Sequence, residues 1–380
     1  MLVALWMACS PDGGAPDSAG ADDTATPTEV STPLGTGTGV LSSKESDWQY
    51  VLGADEQLDD PRDLGFDPDG NLWIANRTDD HTFIVFDPDT PDQTFDRRID
   101  GYAQHFMEET SAFAFEDPSG AEQFGSEFGS CGESANTYND RAPANWFMGP
   151  VLWSTDLEIF AAKNPFGLGS HLDMQHESPF CVGLAWDHDN VYWVFDGFHG
   201  AIVRYDFQEN HGIGQDDHGD GIVYQLTEPT VTRVEEAPGH MEIDRETGIL
   251  YVADTGNDRV LWIDTNTGEQ GTDLAMVMEH IETYAEWDDT QWGVFADGLD
   301  RPGGLALDGA GHVIVGEYGT GILHAYDLEG TELQSLDTGW GEGAAYGIEV
   351  GPDGALWAVD HGAPAVYRLT PPIEAGAQNP

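Results

Sequence analysis

The chain has 380 residues, of which 70 are acidic and 13 basic, for a formal net charge of −57. A field of that sign repels nucleic acid and anionic surfaces, which excludes both as partners of the folded part. With 39% hydrophobic residues and 12 Trp a full core is still available, so most of the charge reads as solvated surface.

Residues 1–47 read as lying outside the fold. MLVALWMA (1–8) is apolar and runs into Cys9, and 10–47 is a Ser/Thr/Pro/Gly/Asp-rich stretch without periodicity, predicted to be a disordered acidic linker. The 1–9 segment resembles the signal and lipobox of a bacterial lipoprotein. It departs in having Trp6 where leucine is usual and no basic residue before the apolar run. The resemblance implies lipidation at Cys9 and a place in the bacterial cell envelope, at the outer membrane, periplasm or cell surface. Membrane contact would then come only through the lipid anchor, because no later segment is long and apolar enough to span a bilayer.

From Pro61 onward one pattern recurs: PRDLGFDPDGNLWIAN (61–76), FCVGLAWDHDNVYWVFD (180–196), GHMEIDRETGILYVAD (239–254), PGGLALDGAGHVIVGE (302–317) and AYGIEVGPDGALWAVD (345–360). Apolar alternation on both sides of an Asp/Gly turn is a β-hairpin signal. A third apolar run follows each hairpin, for example FIVFD (83–87) and RVLWID (259–264). Such units cannot bury an apolar face alone, and the period predicts an all-β propeller.

Equivalent first-strand positions are Asp63, Gly183, His240, Gly304 and Gly347, and the long first gap hides a sixth repeat in TSAFAFEDPSG (110–120), with Ala112 at that position. Six blades follow. VTRV (231–234) and WGVF (292–295) are expected as outer strands. The last blade has no outer strand of its own, so WQYVL (48–52) is predicted to close the ring and remove an open edge. The propeller is assigned to 48–370 and a tail to 371–380.

Strand starts and the loops after second strands share one face, called the top. The alignment puts there Asn76, Asp196, Asp254, Glu317, Asp360 and seven histidines: His81, His105, His171, His176, His199, His240 and His361. Imidazole with carboxylate suits a divalent ion such as Zn²⁺, and carboxylates alone suit Ca²⁺. The candidate metal ligands are therefore Asp63, His240, His171, His176, His199 and His361. Asp63 and His240 stand out because the other repeats have Gly or Ala there. The competing reading makes the Asp/Asn ring structural, holding loop amides. The loop QENHGIGQDDHGDG (208–221) reads as a flexible acidic loop without calcium-loop order. No motif for a nucleotide cofactor, serine hydrolase or zincin occurs.

Setting Cys9 aside, Cys131 and Cys181 form an even pair, expected to be neighbours on one face of adjacent blades and bridged in an oxidising compartment, with two free thiols as the alternative.

The unit MEIDRETGILYVADTGNDRVLWID (241–264) resembles an NHL repeat through Asp254, Asn257, Arg259 and Val260, and most of 61–369 is similar to that family apart from the second repeat. More distantly the chain resembles two propeller enzyme groups. Peptidyl-amidoglycolate lyases hold an axial metal with histidines, beside Tyr and Arg, for which Tyr138 and Arg141 are the catalytic candidates. Gluconolactonase- and paraoxonase-like enzymes hold axial Ca²⁺. The resemblances imply binding of a small molecule, a peptide or an envelope protein or glycan on the top face, with an axial metal; the alternative is a metal-dependent lyase or lactonase.

Overall fold

The protein, as a computed structural model, is described over residues 30–116, 124–137, 143–162, 167–276, 279–369 and 373–374. Six sheets form six blades around one axis. Their inner strands are Pro61–Phe66, Thr110–Phe115, Cys181–His188, Met241–Asp244, Pro302–Leu307 and Ala344–Val350, for blades 1 to 6.

Carboxylates at the turns explain the hairpins of blades 1, 3 and 5. Asp67 accepts the N–H groups of Asp69 and Asn71 through Oδ1, while its Oδ2 accepts the indole N–H of Trp73 at 2.8 Å. Asp187 takes the Trp193 indole in the same way, at 2.9 Å, and Asp308 takes His312 at 2.6 Å. In blades 1 and 5 one carboxylate therefore both shapes the turn and orients the bulky side chain of the second strand.

The apolar faces meet between blades, in six clusters, one per junction. Between blades 6 and 1, Leu64, Ile74 and Phe83 pack on Trp357, Val359 and Val366. The strand Trp48–Gly53 pairs antiparallel with Ala365–Leu369 as the outer strand of blade 6, adding Val51 and Leu52 to this cluster. Closure by the N-terminal strand is as predicted, with each buried aliphatic side chain contributing about 1.5–3 kcal/mol. Cys131 and Cys181 are disulfide-bonded across blades 2 and 3, with Cα atoms 5.8 Å apart.

Three features differ from expectation. The folded part begins before Trp48: Gly39–Ser42 adds to blade 5 as a fifth strand, parallel to Glu332–Asp337, and buries Leu41, with Leu34 of the preceding segment buried in the same cluster. A Gly/Thr-rich stretch carries no alternation, so only tertiary packing marks this edge strand. Residues 231–234 are not a strand; blade 3 is completed by Ile222–Leu226 instead. Finally, the strands Glu269–Asp273 and Thr283–Asp288 leave the blade 4 sequence and extend blade 3 beyond Ile222–Leu226, the latter strand pairing with it in parallel.

Candidate functional site

An axial cavity of about 390 Å³ runs between the inner strands, from Asp63 and His240 at their starts to Phe66, Trp186, Arg245 and Pro352 at their ends. At the starts the backbones crowd. A Cβ on Gly183 would lie 2.0 Å from the Gly239 carbonyl oxygen, and one on Gly347 would lie 2.8 Å from the Asp63 Cα. The crowding accounts for the small residues that most repeats carry there.

The same end is capped. The segment leading into blade 4 is tied down by Arg62, whose guanidinium donates to the Glu236 carbonyl at 3.0 Å and to the Tyr346 hydroxyl oxygen at 2.9 Å. Glu133 pairs with Arg233 and accepts the Glu236 N–H. Arg62 and Tyr346 are buried. The top face, where binding was expected, is thus covered at the axis, and the cavity lining runs from the strand starts to the residues at which the inner strands end.

Asp63 and His240 sit at the blind end, each 5% exposed. His240 Nδ1 lies 3.5 Å from Asp63 Oδ1, and its Nε2–H faces the Ser111 carbonyl at 3.3 Å. Asp63 accepts the N–H of Leu64 at 2.9 Å and of Phe113 at 2.8 Å. Burial pushes the Asp63 carboxyl up to about 7 despite those two donors, and pushes His240 down to about 4.

Two further acids were missed by the sequence reading. Glu242 and Glu349 line the cavity two residues beyond the first-strand position, on the same side of their strands because side chains alternate with period 2. Burial, then the charge of Asp63, raises Glu349 to about 8. Glu242 is raised by burial and by both other carboxylates, with Arg245 opposing. A signal existed: the equivalent residues elsewhere are Gly65, Ala114, Ala185 and Ala306.

The other candidates lie elsewhere. His240 is the single histidine among the described residues lining the cavity. His361 faces Asp60, 3.3 Å from Nδ1, and its ring meets Tyr346, which stands between it and His240. His199 donates to Asp196 at 2.7 Å. His81 lies beside Arg97. His171, His176 and His105 gather at the rim of blade 2, where His176 Nδ1 is 2.6 Å from Glu279 and its Nε2 is 3.3 Å from that of His105. Tyr138 and Arg141 fall outside the described residues.

Much of the acidic ring is structural. Asp254 accepts Thr232 N–H, Asn257 and Arg259, so the Asp–Asn–Arg spacing brackets its own loop. Asn76 accepts the N–H groups of Asp59 and Asp60.

No protein-family model matches the chain, and no curated protein matches it in sequence. Its fold is similar to that of a calcium-binding regucalcin from Agrobacterium tumefaciens, at 14% identity and a TM-score of 0.50, over 88% of this chain and 96% of that one. A protein of unknown function from Bacteroides thetaiotaomicron is similar at 10% identity and 0.52, over 87% and 74%. An auxiliary nutrient binding protein of the same organism is similar at 11% and 0.50, over 87% and 75%. At such identities the likeness is one of fold, and the chain is a six-bladed β-propeller.

Proposed function

We propose that the protein is a ligand-binding propeller whose axial cavity takes a small molecule with a cationic group. The observation that carries this reading is the meeting of Asp63, Glu242 and Glu349 in one cavity with Arg245 as the cation lining it. Three carboxyl groups in a poorly solvated space cannot all ionise unless a positive charge joins them. An amine or guanidinium would supply it, while Phe66, Phe115 and Trp186 offer apolar and cation–π contacts near the open end. The volume lies within the range of small-molecule pockets.

A hard divalent ion is the other species the donor set suits, and it would serve the axial role implied by the lactonase resemblance. These carboxylates do not converge as a ready ligand shell, however: among the described residues the groups whose ligand atoms lie within 4.8 Å of one another are at the rim. Export with a lipid anchor at Cys9 belongs to the same proposal and is supported by the disulfide, which persists in oxidising compartments.

Calorimetry with putrescine, choline, arginine amide and Ca²⁺ tests the reading. Binding of an amine that weakens about tenfold or more in Glu349→Gln supports it. Binding of Ca²⁺ alone, lost in the same variant, replaces the organic cation with a metal; no binding by any probe counts against the site.

A second reading, a lyase or hydrolase, rests on the Asp63–His240 pair. An acid near neutrality beside a base held neutral is the pairing that general acid–base chemistry uses. Turnover of an amide or lactone substrate that disappears in His240→Gln would favour it.

A further inference from the structure

We propose that Asp173, His211 and His218 hold a divalent transition metal of the zinc type at the rim, where blade 2 meets the loop 208–221, separate from the axial cavity. One ligand atom from each of the three lies within 4.8 Å of the others.

Hydrogen bonds decide which atom each side chain offers. His211 Nδ1 is 2.7 Å from the Gly212 carbonyl, a contact that an N–H makes, so the lone pair sits on Nε2. That Nε2 is buried and has no hydrogen-bond partner in the protein. Asp173 is fully buried; its Oδ1 accepts the Met174 N–H at 2.7 Å and faces His218 Nδ1 at 2.9 Å, while its Oδ2 has no partner. A metal taking the place of the proton between His218 and Asp173 binds both, and leaves His218 Nε2–H toward Glu279 Oε2, now 3.8 Å away.

His171 stands beside the triad with the same arrangement. Its side chain is 1% exposed, its Nδ1 is 3.1 Å from the Leu168 carbonyl, and its Nε2 lacks a partner. Its ring meets that of His211 edge to face, with centroids 5.0 Å apart.

Two buried acceptor atoms of the triad, His211 Nε2 and Asp173 Oδ2, have no donor and stay unsatisfied if nothing fills them. One cation held by these residues fills both. A backbone carbonyl or carboxylate on the far nitrogen is also the outer arrangement that orients metal-binding histidines. Imidazole with carboxylate selects zinc-like ions over Ca²⁺ or Mg²⁺. The ion would pin the loop 208–221 onto blade 2, giving that irregular excursion a fixed place.

The test uses the whole protein, stripped with a chelator and titrated with Zn²⁺ and with Co²⁺. The expected result is one equivalent bound, a visible Co²⁺ absorption band, and a higher Tm on loading. His211→Gln with His218→Gln should weaken binding more than about tenfold, while Glu349→Gln in the axial cavity keeps it, so this site and the axial one fail separately. Less than a tenth of an equivalent on the folded wild-type protein, by the same titration, overturns the proposal; so does undiminished binding by the double variant. If that variant does not fold, diethylpyrocarbonate labelling of the wild-type chain decides. Zn²⁺ must protect His211 and His218, and unprotected labelling rejects the site.

Discussion

His240 and Asp63 come from blades 4 and 1, on opposite sides of the axis, yet Nδ1 of one lies 3.5 Å from Oδ1 of the other. Because the imidazole presents Nε2–H to the Ser111 carbonyl, its lone pair lies on Nδ1, the atom that faces the carboxyl group. The pair sets the state of the blind end of the cavity. His240→Gln should leave the fold intact, since the side chain lines a cavity, but should alter ligand affinity measured by calorimetry. Loss of the folded state by circular dichroism would show that the pair is a structural brace instead.

The acid cluster should leave a mark on pH-dependent stability. Asp63 and Glu349 have folded pKa values of about 7 and about 8, above their ordinary 3.8 and 4.5. As pH rises the unfolded chain gives up these protons first, so stability is lost as pH climbs through the folded values. His240 acts oppositely: its folded value of about 4 lies below 6.5, so it costs stability as pH falls between those two. The window from about pH 6.5 to about pH 8.5 therefore leaves out His240, and comparison with Glu349→Gln cancels the other groups that titrate there. Chemical denaturation there should show Glu349→Gln losing less stability than the wild type, by on the order of 1–2 kcal/mol. Asp63, His240, Glu242 and Arg245 are the charged neighbours in the cavity, and parallel pH profiles for the two proteins would rule out the effect.

Removal of the disulfide should lower stability without opening the ring. The bridge joins residues 50 apart, and constraining a loop of that size is worth about 2–4 kcal/mol. Cys131→Ala with Cys181→Ala should show that loss in denaturant titrations. An unchanged midpoint would mean that the Ala112, Leu152 and Leu184 packing around the bridge is enough by itself.

N-terminal truncations should separate two roles. Removing residues 1–45 deletes Leu34 and Leu41 from the blade 5 and 6 junction but keeps Trp48–Gly53, so a monomer less stable by about 3–5 kcal/mol is expected. Removing 1–53 also exposes the edge of Ala365–Leu369, and light scattering should then show aggregation. A monodisperse product from the longer truncation would mean the ring tolerates an open blade.

Crowding at the strand starts predicts a further intolerance. A methyl on Gly183 would sit 2.0 Å from a backbone oxygen of the neighbouring blade, and backbone cannot yield as a flexible side chain can. Gly183→Ala should cost at least about 3 kcal/mol or abolish folding, whereas Gly309→Ala, with open space around its Cβ, should be nearly neutral in the same thermal melt.

Fold was legible because it rests on local and repeated chemistry. Alternation, the Asp67-type turn and the missing last strand are each written within a few residues, and repetition multiplies a weak signal sixfold. Asp63 and His240 stand out by the same logic, through their departure from Gly or Ala, and so do Glu242 and Glu349 two residues further along, where the other repeats have Gly or Ala. Repeat alignment could not say which histidines meet, because it assigns residues to a face and not to a distance from the axis. Tyr346 separates His361 from His240, and His171 and His176 turn outward to the rim. There they join His211 and His218 of a loop with no repeat partner. The closed end of the cavity likewise depends on Arg62 reaching Glu236, a contact between residues 174 apart. Periodicity in the sequence determined the scaffold; the long-range packing of its irregular loops decided where charge and imidazole converge, because those loops follow no period.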